Sequence, residues 1–174
     1  GLEACRESES IVDTLEQLVE AGFSGETAAR MVNSVLNLRN QNGRFSTVDI
    51  SMVDLYSGVC HFLKAGAATT FIKRDHWVEA ISSTSLALGL VQQADFQTAA
   101  KKLYEGDFLI MVTDGVLDAL PCECAEETMK EIILETHANA AQELGRGILE
   151  RVLTYSEYKA EDDMTILTAG LWRN

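Results

Sequence analysis

Two acidic turns hold the residues best suited to chemistry. The first is Thr113-Asp114-Gly115, reached at the end of the apolar run Phe108 to Val112, with Asp118 four positions on. The second is Glu161-Asp162-Asp163, immediately before MTILTAGLW. Both place carboxylates where a core strand begins or ends. If the two strands are antiparallel neighbours, the exit of one lies beside the entry of the other, and the carboxylates converge at one sheet edge. Carboxylates that close repel unless a cation sits between them. Hard ions such as Mg2+ and Mn2+ take such oxygen ligands, usually one or two carboxylates plus waters. A plainer role suits the same residues: turn formers and strand ends facing solvent. The residues alone leave both readings open.

Other chemistries find less support. His61, His76 and His137 are far apart in sequence, and His61 alternates with Cys60 and Phe62 along a strand. Ser82-Ser83-Thr84-Ser85 has no histidine placed to activate a nucleophile. The four cysteines are scattered, and the C-x-C of Cys122 and Cys124 lacks the matching pair of a zinc site. They fit a reducing cytoplasm better than a disulfide framework. Lys73-Arg74 reads as solvated charge near a turn.

Helix pairs and strands must position the acids. Apolar residues at 11, 12, 15, 18 and 19 predict a helix over about 3–20, stopped by Gly22. Ser24 caps a second helix, with Thr27 in the place of the usual Glu, which carries Ala28, Met31, Val32, Val35 and Leu36 to about Arg39. Gln41-Asn42-Gly43 breaks it. Residues 46–65 read as an antiparallel hairpin turning at Ser57-Gly58. TTFIKR and HWVEAIS predict two short strands, Leu86 to Val91 a loop packed on the core, and 96–103 a weak strand. FLIMVT is a strong strand, followed by a helical turn at 116–120. Helices over 125–136 and 139–155 precede the last strand, 164–172. Strands in a run and helices in pairs indicate an α+β fold of antiparallel sheets. Alternating strands and helices and a G-x-G-x-x-G are both missing, which argues against a doubly wound nucleotide-binding fold.

The 174 residues, 47% apolar and 24% charged, suit one soluble domain spanning 1–174, with no linker or repeat. No apolar run is long enough for a membrane span. A net charge of −13 argues against nucleic acid, which needs clustered Lys and Arg. It admits a phosphorylated substrate if divalent cations supply the positive charge.

VTDGVLDA followed by EDDMTILTAGLW resembles the metal-dependent protein phosphatase (PPM) family, the type 2C serine/threonine phosphatases. GLEACRESES, EAGFSGETAARMVNSVLNLRNQNGRFSTVDISMVDLYSG and KAGAATTFIKRDHWVEAISSTSLALGL extend the resemblance over nearly the whole chain, to the phosphatase domains of the stage II sporulation protein E branch. The resemblance implies an α-β-β-α sandwich of antiparallel sheets flanked by helix pairs. It implies hydrolysis of phosphoserine or phosphothreonine by a water activated between two Mn2+ or Mg2+ ions. Asp114 matches the DG-turn ligand and Asp162 the ligand of the closing motif. Asp163 stands where many relatives have Asn and would support the ligands from behind, Gly115 would permit the tight turn, and Asp118 would serve an outer ion.

The family's other essential acid lies in a D-G-x-G-x-G-like segment upstream of the position matched by Gly1. The chain is therefore expected to be N-terminally truncated, lacking a strand, with weak metal binding and little activity by itself. The implied substrate is a phosphorylated STAS-domain anti-anti-sigma factor of sporulation. The implied setting is the cytoplasmic part of a larger, membrane-anchored bacterial protein that forms a homo-oligomer, with the helices over 3–20 and 24–39 acting as a switch. Two other readings compete: a non-catalytic interaction module on the same fold, and an unrelated acidic α+β ligand-binding domain.

Overall fold

A computed structural model describes residues 2–39, 45–121, 123–158 and 162–172, with the side chains of Leu2, Glu3 and Arg39 outside that description. Gly1, the Gln41-Asn42-Gly43 break, Cys122 and Glu161 lie outside the described residues. The chain forms two compact units, one of residues 1–67 and 83–101, the other of 68–82 and 102–174.

In the first unit, α1 (Leu2–Glu20) and α2 (Gly25–Arg39) precede the hairpin β1 (Val48–Val53) and β2 (Val59–Ala65), and β5 (Gln97–Lys102) lies beside β2. Gly22, at φ 90°, ends α1 in the left-handed conformation, while the Phe23 N–H closes on the Leu18 carbonyl at 3.0 Å. Ser24 Oγ accepts the Thr27 N–H at 3.2 Å, the expected cap of α2. Ile11, Leu15, Ala28, Ala29 and Val32 are buried and cluster with Leu63 and Leu88. The apolar stripe is narrower than its spacing suggests: Val12 is 57% exposed, and Met31 and Val35 are exposed too. Leu88 is buried at a bridge to Ser46, so 86–91 is the core-packed loop its composition predicts.

The hairpin register runs from Val48↔Ala65 to Val53↔Cys60. Asp49 faces Lys64, and the two form an ion pair whose ammonium side is fully buried. Burial lowers the Lys64 pKa, and the hydrogen bond to Asp49 opposes that shift. The turn spans more than Ser57-Gly58. Asp54 organises it: Oδ1 accepts the Tyr56 N–H at 2.9 Å and Oδ2 the Ser57 hydroxyl at 2.5 Å.

The second unit holds β3 (Thr70–Lys73), β4 (Val78–Ile81), β6 (Phe108–Val112) and β7 (Ile166–Gly170) in the order β4-β3-β6-β7, all pairs antiparallel. Its helices are α3 (Asp114–Asp118), α4 (Ala125–Glu135) and α5 (Ala141–Tyr155). Phe108, Ile110 and Val112 of β6 cluster with Met129 and Ile133 of α4 and Ile148 of α5. Leu109 is buried as well, which explains why β6 is an unbroken apolar run rather than an alternating one. The Thr168 hydroxyl donates to the Ala141 carbonyl at 2.7 Å and ties β7 to the start of α5.

Lys73 and Arg74 are not solvated charge. The Lys73 ammonium donates to the Ile133 and Leu134 carbonyls at the end of α4, at 2.8 and 3.2 Å. Arg74 pairs with Asp107 at 2.8 Å and lies over the rings of Trp77 and Tyr104. Adjacent cations at a turn carried no sign of the hydrogen-bond partners Asp107, Ile133 and Leu134, which lie 33 to 61 positions away.

Candidate metal centre

Antiparallel pairing of β6 and β7 runs from Phe108↔Gly170 to Val112↔Ile166. The end of one strand is therefore beside the start of the other, as the acidic turns require. One more rung extends the ladder, from the Thr113 N–H to the Thr165 carbonyl at 3.1 Å. The Thr113 hydroxyl accepts the Thr165 N–H at 2.9 Å and donates to the Asp163 carbonyl at 3.3 Å. Thr113 thus fastens the two acidic turns together. Sequence reasoning missed this role, though a hydroxyl just after the first strand, in TDG, and one just before the second, in DDMT, were a signal for it.

The helix after β6 begins at Asp114, two residues earlier than expected, because Thr113 is extended at φ −81°, ψ 160° and its carbonyl already accepts the Val116 N–H at 3.1 Å. Asp114 therefore occupies the first helical position and Asp118 the last. Gly115 is buried, and its importance lies in space rather than in a special φ. A Cβ placed there would come within 2.6 Å of the Asp163 carbonyl oxygen and 3.3 Å of Asp162 Cβ. Only a residue without a side chain lets the second turn lie against the first.

Asp114, Asp118, Asp162 and Asp163 are all exposed. Asp114 Oδ1 accepts the Gly115 N–H at 3.0 Å, and Asp162 Oδ1 accepts the Asp163 N–H at 2.8 Å. Each ties one oxygen to its own turn. Neither Oδ2 has a hydrogen-bond partner among the described residues. The structure brings the turns of Asp114, Gly115, Asp162 and Asp163 together, while Asp118 stands one helical turn away from Asp114 on α3.

Oxygen donors on two abutting turns suit a hard divalent cation. The fit is partial: no group of three or more His, Cys, Asp or Glu among the described residues is arranged to hold a metal. The histidines are exposed and apart, as expected. Cys60 is fully buried, and burial followed by the Asp49 charge raises its thiol pKa to about 11, which removes it as a nucleophile.

The family model of stage II sporulation protein E (SpoIIE) matches residues 1–171. The stage II sporulation protein E of Bacillus subtilis (strain 168) is 31% identical over 175 residues, covering all of this chain and 21% of the relative. That of Priestia megaterium is 34% identical over 175 residues, covering all of this chain and 30% of the relative. The chain thus spans less than a third of the length of these relatives. The solved Bacillus subtilis structure of the PP2C phosphatase domain and a fragment of the regulatory domain of SpoIIE aligns at a TM-score of 0.86 and 31% identity, over 95% of this chain and 50% of that one. Helices and antiparallel sheets are shared with that phosphatase domain, and the chain belongs to the stage II sporulation protein E family.

Proposed function

We propose that this chain is a metal-dependent serine/threonine protein phosphatase domain, with Asp114 and Asp162 as metal ligands. The observation that carries this reading is the junction of the two acidic turns, with Gly115 against the Asp163 carbonyl. Asp114 and Asp162 would hold Mn2+ or Mg2+ together with an acid from outside the described residues, and Asp118 would serve an outer ion. The bound ions supply Lewis acidity, lowering the pKa of water and offsetting phosphoryl charge. The chain's own residues position these groups. Thr113 fixes the spacing of the two turns, each Asp orients its carboxylate by accepting its neighbour's N–H, and Asp163 supports Asp162 through its backbone. Direct attack by an ion-activated water would need no nucleophilic side chain at the site.

The substrate proposed is a phosphoserine or phosphothreonine protein, specifically a phosphorylated STAS-domain anti-anti-sigma factor in sporulation. We place the domain on the cytoplasmic side of a membrane-anchored, self-associating protein. No helix among the described residues is long and apolar enough to cross a membrane, so an anchor would lie elsewhere. A second reading, a phosphatase-like interaction module without catalysis, is favoured by the lack of a three-residue ligand cluster among the described residues.

Mn2+-dependent hydrolysis of an aryl phosphate separates the two. It is measured on the chain as it stands and on a fusion bearing the upstream acidic segment of the Bacillus subtilis relative, each with an Asp114→Asn counterpart. Hydrolysis that needs Mn2+ and Asp114 establishes the phosphatase. No hydrolysis by either protein, with no Mn2+ binding by calorimetry, establishes the module.

A further inference from the structure

The loop that joins β4 to β5 borders a half-open cavity of about 370 Å3 in the first unit, lined by Thr84, Leu86, Val91, Gln93, Asp95 and Gln97 among others. Its walls are held by side chains that bond to backbone. On one side α2 supplies the ties. Buried Asn33 donates to the Val91 and Gln92 carbonyls at 3.1 and 3.2 Å and accepts the Gly89 N–H at 2.8 Å. Asn37 donates to the Val91 carbonyl at 3.0 Å, and Arg30 to the Ala94 carbonyl at 2.8 Å. On the other side Gln97 spends its amide on Thr84, accepting the backbone N–H at 3.2 Å and contacting the hydroxyl at 3.1 Å. Ser85 Oγ accepts the Gln97 N–H at 2.8 Å. The cavity therefore has its shape before anything enters it, which reduces the ordering cost of binding.

Two polar side chains on the lining are left over. Gln93 and Asp95 have no side-chain hydrogen bond to any described residue. Among the described residues on the lining, Asp95 is the only ionisable one, with no Lys, Arg or His. A phosphoryl group would find no cation on this lining and would face the Asp95 carboxylate. A cation does, and Leu86, Val91 and Ala94 offer an apolar surface beside it. The volume lies at the small end of ligand sites, enough for one or two side chains.

We propose that this cavity is a docking subsite for an extended, unphosphorylated stretch of the protein substrate, seating an aliphatic side chain on Leu86 and Val91 and pairing the adjacent Lys or Arg with Asp95. The proposal rests on the phosphatase reading for the identity of the occupant as a substrate. Because α2 holds one wall through Arg30, Asn33 and Asn37, docking in this unit depends on the position of that helix.

The test is amide chemical-shift titration of the 174-residue chain with two probes, N-acetyl-leucyl-lysine methylamide and N-acetyl-leucyl-glutamate methylamide. The lysine probe should give saturable shifts confined to residues 84–97, and the glutamate probe should bind more weakly. Leu86→Trp, at an exposed position on the rim, should abolish the shifts. Asp95→Asn should weaken the lysine probe roughly two- to fivefold, the range of an exposed ion pair. No localised shifts, or equal binding of the two probes, would overturn the proposal. Neither variant should change Mn2+-dependent hydrolysis of an aryl phosphate. Probe binding without hydrolysis in any chain would overturn the phosphatase reading alone, and hydrolysis without probe binding would overturn the subsite alone.

Discussion

The β1–β2 hairpin and the β6–β7 pair both carry aspartates on or beside their strands, and they use them in opposite ways. In the hairpin a buried cation or the turn's own donors meet the acids, and Asp54 has both of its oxygens engaged. Asp49 meets buried Lys64, and Asp54 binds the Tyr56 N–H and the Ser57 hydroxyl with separate oxygens. At the β6–β7 boundary Asp114 and Asp162 each bind one neighbouring N–H and leave the second oxygen without a hydrogen-bond partner among the described residues. A carboxylate such as Asp54, with both oxygens engaged, shapes a turn. One with an oxygen facing solvent, beside a second like it, has capacity left for a ligand. Thr113 and Gly115 hold the second pair of turns together without engaging those oxygens.

The comparison breaks hardest at Lys64. Lys64→Ala leaves Asp49 without its buried cation and should cost about 3–5 kcal/mol, read by urea denaturation. A cost near zero would mean that the hairpin acids are no better answered than the others. Gly115→Ala comes next. The new methyl group must displace the Asp163 backbone, at about 1–3 kcal/mol, and should separate the acidic turns so that any Mn2+-induced rise in melting temperature shrinks as well. Thr113→Val removes both bonds of the hydroxyl and should cost about 1 kcal/mol by the same denaturation measurement.

Asp54→Asn has the smallest effect, seen only in acid. The Ser57 hydroxyl, then the Tyr56 N–H, lowers the Asp54 pKa below 3.8. A depressed folded pKa stabilises the fold above the unfolded value, and that contribution disappears as pH falls through the folded one. The wild-type melting temperature should therefore fall more between pH 5 and the acid range than that of Asp54→Asn.

Much of the frame was legible because its signals are local. The Ser24 cap, the Gly22 stop and the apolar run of β6 each sit within a few residues of what they determine. The juxtaposition of the acidic turns was legible only as a condition, that the two strands be antiparallel neighbours, and the pairing of β6 with β7 meets it. Less was legible where partners are distant. The stripes on α1 and α2 did not show that Val12, Met31 and Val35 would remain exposed, since that depends on which side meets the sheet. Nothing local in the sequence marks Lys64, and only the hairpin register pairs it with Asp49. Gly115 was legible as necessary but for another reason: the close approach comes from a turn 48 residues further on.

Thermal denaturation of the chain and of its Asp114→Asn variant, with and without millimolar Mn2+, tests the central contrast directly. A ligand that binds only the folded state raises the melting temperature by mass action. The site reading predicts equal melting temperatures without metal and a Mn2+-induced rise in the wild type alone. A variant already destabilised without metal, or one that keeps the same Mn2+ response, would show Asp114 to be a turn former like Asp54.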